Sequence, residues 1–91
     1  MKEGITATGF KFSISEDIAD NWELLEEIAD MEENKLKLIK VIKMILGEAG
    51  YNSLKEHCRE NGVVSTKKMR NEVVEIFKMF KELKNSLPSA E

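Results

Sequence analysis

Near the C-terminal end, Met69, Val73, Ile76, Phe77, Phe80 and Leu83 recur mostly three or four residues apart. Because an α-helix turns about 100° per residue, this spacing gathers all six on one face. It is the strongest periodic signal in the chain, and a helix carrying such a stripe must bury it against other elements. Ser65 or Thr66 supplies the cap, and the helix is predicted to run to about Asn85. A second helix, near Leu36 to Leu46, repeats the design: Ile39, Ile42, Ile45 and Leu46 point inward, Lys37, Lys40 and Lys43 form a basic stripe, and Gly47 is a stop signal. A third is predicted from about Gly50 to Glu60, where Tyr51, Leu54 and Cys58 share a face and Asn61-Gly62 marks the terminus.

The first helix has Ser15 as its cap, with Glu16 and Asp17 in the opening turn where the helix dipole favours negative charge. Counting from Trp22 places Ile18, Leu25 and Ala29 around it, with Leu24 and Ile28 widening the stripe and Asp20, Glu23, Glu27 and Asp30 opposite. On this reading Trp22 anchors the core and emits at short wavelength, and its truncation to alanine costs roughly 3 to 5 kcal/mol. The acids form a wet back. Ahead of the helices, ITATGFKFSIS alternates apolar Phe10, Phe12 and Ile14 with polar Lys11 and Ser13, and Gly9 separates two β-prone runs. A hairpin follows, with Ile5 and Ala7 on its first arm facing the helices.

The fold class expected is therefore mainly α, a small bundle of about four helices with a short N-terminal β-hairpin. At 91 residues one domain is the default. Residues 1–85 form it, the hairpin taking 1–15 and the helices 16–85. Residues 86–91, around Pro88, are expected to be a flexible tail. The longest apolar stretch, from Leu36 to Leu46, is about half a membrane span and is broken by three lysines. No membrane segment is expected, and a lone Cys58 with no secretory signal points to the cytoplasm.

Charge is distributed unevenly. Glu16 to Glu33 holds nine acids and no base, leaving 8 acids against 14 bases in the rest of the chain. Internal pairing of an acidic helix with basic ones, a solvated face and a surface for a charged partner all fit this asymmetry. Chemistry finds little support. His57 and Cys58 are adjacent on a helix and diverge by about 100°, which makes a poor nucleophilic dyad and at most half of a zinc site. The acidic run lacks the alternating ligands and central glycine of an EF-hand loop. Glu26 and Glu27 diverge likewise, and no Lys-Ser or Lys-Thr follows a glycine-rich loop. Catalytic residues, cofactor and metal are all expected to be none. Helices two and three around Gly47 could imitate a helix-turn-helix, but Glu56 and Glu60 interrupt Lys55 and Arg59 where a recognition helix needs bases. Nucleic acid is not expected as a partner.

A protein surface remains. The wide apolar face at Trp22, Leu25 and Ile28, with Val74 and Met79 off the main stripe of the last helix, exceeds what short amphipathic helices require. These five residues are the candidate partner-binding set. Asp20, Glu23, Glu27 and Asp30 are the candidate acidic face.

The order of segments resembles the small tail assembly chaperones of long-tailed bacteriophages and prophages. The residues that carry the resemblance are W-E-L-L-E at Trp22 to Glu26, the apolar helix ended by Leu46-Gly47, L-K-E-H at Leu54 to His57, and Lys84-Asn85-Ser86. Asn21 stands where such proteins often have a second acid, and the loop at Asn34 lacks their glycine and proline. The resemblance implies a non-enzymatic helper in the cytoplasm of the bacterial host, absent from the mature virion. Such a helper coats the tape measure protein and recruits tail tube protein, with self-association into a homo-oligomer and a longer frameshifted product joined near Ser86. A regulatory adaptor or DNA-binding protein of the same mobile element is the alternative.

Overall fold

The computed structural model describes residues 2–86, with side chains described through Leu83. The N-terminal alternation folds as two antiparallel strands, β1 (Lys2–Ile5) and β2 (Lys11–Ile14), pairing Lys2 with Ile14 and Ile5 with Lys11. Thr6 and Phe10 close the turn, the Thr6 amide donating to the Phe10 carbonyl at 2.9 Å, and Gly9 takes the positive φ of 93° that a Cβ would oppose. Phe10 and Ile14 are buried as the alternation requires. Ile5 and Ala7, expected to face the helices, are exposed instead. Opposite Ile5 stands outward-facing Lys11, so the inward positions of the first arm are Gly4 and Thr6. A Cβ at Gly4 would run into the Met79 thioether and the Phe12 ring, which shows how closely the backbone lies on the helices.

The acidic segment is two helices rather than one: α1 (Glu16–Ala19) and α2 (Trp22–Glu33). Ser15 caps the first as expected, its Oγ accepting from the Ile18 amide at 3.2 Å. The break comes at Asn21, whose ψ of 113° is extended and whose Oδ1 accepts the Leu24 amide at 3.1 Å. A second cap of that kind starts a new helix, and an asparagine satisfies the freed amide where a long acid reaches it less readily.

The next helix, α3 (Lys37–His57), runs through both predicted central helices, but Gly47 breaks its helical geometry with φ 76° and ψ 168°. The glycine marks a kink, so the expected stop is a change of direction. Past His57 the predicted third helix gives way to a tight hairpin, β3 (Arg59–Glu60) and β4 (Val63–Val64). Asn61 at φ 53° and Gly62 at φ 80° form its two-residue turn, the left-handed pair that Asn-Gly accommodates best. The last helix, α4 (Thr66–Ser86), is capped by Ser65, whose Oγ accepts the Lys68 amide at 3.2 Å. Ser86, expected to begin the tail, ends this helix, and residues 87–91 lie outside the described residues.

The architecture is mainly α with an N-terminal antiparallel hairpin, and α2 packs along α3 while the hairpin lies against α3 and α4. Leu24, Ile42, Leu54 and Ile76 are its fully buried centre, with Phe80 and Leu83 of the α4 stripe also buried. Among the described residues no helix is long and apolar enough to cross a membrane. The smallest dimension, 19 Å, is about two helix diameters. A two-layer slab leaves little depth to hide an apolar face.

A candidate partner groove

Three helices expose apolar side chains toward one another without closing the gap. From α2 come Leu25, Ile28 and Met31; from α3, Leu38 and Ile39; from α4, Val74 and Phe77. Together they line an open groove of about 1350 Å³, larger than the roughly 300 to 1,000 Å³ of small-molecule sites. Val74, at 65% exposed, lies nearly opposite the α4 core face, and Leu36, Leu25 and Ile39 are also exposed, the last against the expectation that it points inward. The candidate set is thus partly assembled: Leu25, Ile28 and Val74 share the groove, while Trp22 and Met79 are not among its lining residues. Met79 lies on the other side of α4, beneath Gly4 of the hairpin.

Trp22 is the main correction. It is 71% exposed, whereas Leu24 is fully buried. At about 100° per residue the two lie roughly 160° apart, so one helix cannot turn both inward. Leu24, Ile28 and Met31 form the arc that faces the fold, and Trp22 occupies the first turn on the far arc. The expected opposition of an indole front and a carboxylate back therefore fails on both counts. Glu27 has only 17% of its side chain exposed, with its carboxylate 3.1 Å from Lys40 Nζ and 3.4 Å from Lys37 Nζ. Asp30 also approaches Lys37, at 3.7 Å. Lys40's hydrogen bond, reinforced by Lys37, holds the Glu27 carboxyl below its usual range against the opposing pull of burial. Half of the candidate acidic face thus ties α2 to α3, whereas Asp20 and Glu23 are exposed.

On the hairpin side of α4 lies a polar cluster that periodicity did not single out. Glu72 is 2% exposed and sits on the core face of α4, between Met69 and Ile76. The Thr6 hydroxyl donates to its Oε1 at 2.6 Å and the Thr8 hydroxyl to its Oε2 at 2.9 Å. Thr8 Oγ1 also lies 2.8 Å from His57 Nε2. Since the Thr8 proton is committed to Glu72, the His57 Nε2 must donate here, which assigns the ring proton. Glu75 adds a bond from the Ala7 amide at 2.9 Å. The cluster clamps the turn to α4. An acid in the middle of an apolar stripe is the signal that points to it, because a buried carboxylate requires donors.

His57 and Cys58 form no dyad: His57 faces Thr8 and Glu72, while Cys58 is buried without a hydrogen bond to it. Burial first, and then the charge of Glu72, push the Cys58 thiol up. Among the described residues no three acidic, histidine or cysteine side chains are placed to hold a metal ion. Tyr51, in the expected third helix, is buried under two cations, with Lys43 and Lys55 Nζ at 5.3 and 5.1 Å from its ring centre. With Leu54 and Cys58 also buried, that face of α3 is used internally. Comparison of the chain with models of protein families, with curated proteins and with solved structures finds no match.

Proposed function

We propose that the chain is a non-enzymatic binding protein that holds a helix of another protein in the groove between α2, α3 and α4. The observation that carries this reading is the groove itself: open, predominantly apolar and elongated, it meets the requirements of helix-in-groove recognition. A contiguous apolar surface of this kind is costly to leave in water unless something covers it. The resemblance of W-E-L-L-E, Leu46-Gly47 and L-K-E-H to tail assembly chaperones supplies a candidate client, the tape measure protein of a long-tailed phage, and tail tube protein as the subunit recruited. In this role the chain works in the cytoplasm of the bacterial host and is left out of the mature virion.

Copurification of the full chain with helical fragments of its proposed client, the tape measure protein, is the test. A stable complex that Val74→Glu abolishes, with the helical circular dichroism of the chain unchanged, supports the proposal. If no fragment is retained while the chain retards duplex DNA at moderate salt, the regulatory alternative replaces it.

A further inference from the structure

The groove is apolar inside and cationic at its edge. Lys35, Lys55, Arg70, Lys78 and Lys81 border it, against the single acid Glu32. This local excess runs against the chain's formal net charge of −3. Among the described residues Lys35, Arg70, Lys78 and Lys81 are in no ion pair, whereas Lys37 and Lys40 on the other edge of α3 are held by Glu27. These four unpaired cations stand beside the large open apolar groove. We propose that the occupant is an amphipathic helix of a different protein whose apolar stripe is flanked by aspartate and glutamate, an inference that rests on the groove being a docking site.

Shape and charge select this occupant together. Lining residues run along α4 from Thr66 to Lys81, about 22 Å at 1.5 Å per residue, the length of a helix of about four turns. A second copy fits poorly. Packing two grooves face to face opposes their cationic edges, and like charges brought together as water leaves are unfavourable. The exposed Trp22 of a second copy is a single ring for a slot four turns long. A helix flanked by acids covers the apolar floor and places carboxylates beside Arg70, Lys78 and Lys81. The groove's own charge thus selects an acidic client.

The test is a displayed library of 18-residue helical peptides with Leu, Ile, Phe and Met on one stripe and Glu, Lys, Gln or Ser at every other position. It is selected on the full chain and counter-selected on Val74→Glu. Selected peptides should carry an excess of Glu beside the stripe, and their Kd should rise about tenfold or more between about 50 mM and 500 mM salt. The double variant Lys78→Glu, Lys81→Glu, at two exposed positions, should shift the preference to Lys. Equal enrichment of Glu and Lys overturns the acidic-flank inference and leaves the groove reading standing. Failure to enrich any peptide over the Val74→Glu control overturns both. Dimerisation of the chain alone that Val74→Glu abolishes assigns the groove to a second copy and overturns the inference as well.

Discussion

Replacing Glu72 with alanine tests the account of how the hairpin is held. The carboxylate accepts two hydroxyl hydrogen bonds at 2.6 and 2.9 Å while only 2% exposed, and bonds to a charged acceptor are worth about 1.5 to 3 kcal/mol each. Against this gross gain of about 3 to 6 kcal/mol stands the desolvation of the carboxylate, several kcal/mol for a buried charge, which the alanine variant no longer incurs. The substitution also strands hydroxyls. Thr6 is buried, but its Oγ1 lies 3.2 Å from Thr8 Oγ1, so the two can partly satisfy each other. The balance is a net loss of about 2 kcal/mol, or roughly 8 to 16 °C in Tm for a domain of this size. Undocking should be local. Phe10 and Ile14 remain buried anchors, each worth about 1.5 to 3 kcal/mol, so the strand end of the hairpin stays in place while the turn from Thr6 to Gly9 opens. Urea unfolding followed by circular dichroism gives the first quantity, and amide hydrogen exchange gives the second. A stability within about 0.5 kcal/mol of the parent, with unchanged protection in the turn, would refute the reasoning by showing that desolvation cancels the bonds.

Three further outcomes follow from the same geometry. Trp22→Ala should change stability by less than about 0.5 kcal/mol and the parent indole should emit as in water, whereas Leu24→Ala should cost about 2 to 5 kcal/mol; a shielded indole in the folded protein contradicts the assignment of the buried arc. Cys58, buried and with its thiol pushed up, should resist a thiol reagent at mildly alkaline pH until denaturant is added, and rapid labelling under native conditions would disprove its burial. Glu27, Glu56 and Glu60 are lowered first of all by hydrogen bonds from Lys40, Arg59 and Lys68, so the folded state binds their protons less tightly than the unfolded chain does. Their contribution is complete above the ordinary carboxyl value of 4.5 and is lost as pH falls through the depressed folded values. The urea midpoint should drop with acidification below that value, and 1 M salt should flatten the drop; a midpoint independent of pH would show the pairs contribute nothing.

Periodicity located most of the core where an element had one apolar arc, with Ile39 of α3, expected inward but 50% exposed, as an exception. Ile76, Phe80 and Leu83 on α4, Leu54 on α3 and the alternate residues Phe10 and Ile14 on β2 were all legible, because a single arc leaves one way to face inward. It failed where a helix carried two. On α2 both the Leu24 arc and the Trp22 arc are apolar, and packing against α3 selects the smaller side chain. The Asn21 cap was hidden inside what reads as a continuous acidic helix. At Asn61-Gly62 the same dipeptide that ends helices also turns hairpins, and only the pairing of Arg59 with Val64 distinguishes the two. The groove was half legible. Leu25, Ile28 and Val74 stand out in the sequence as surplus apolar residues, but the gathering of Arg70, Lys78 and Lys81 around them depends on how α4 lies beside α2 and α3. Glu72 is invisible to apolar periodicity, because its burial depends on the Thr6 and Thr8 hydroxyls that the hairpin brings to it from more than sixty residues away.

A thickness of 19 Å gives the groove a thermodynamic meaning. Any helix laid into it completes a third stratum over residues that otherwise have only one side packed, so ligand and scaffold share an interior. Melting temperature should then climb with ligand concentration, by the equivalent of about 2.7 kcal/mol at a hundredfold excess over Kd. A small protein made in this way would have its core completed by a bound helix.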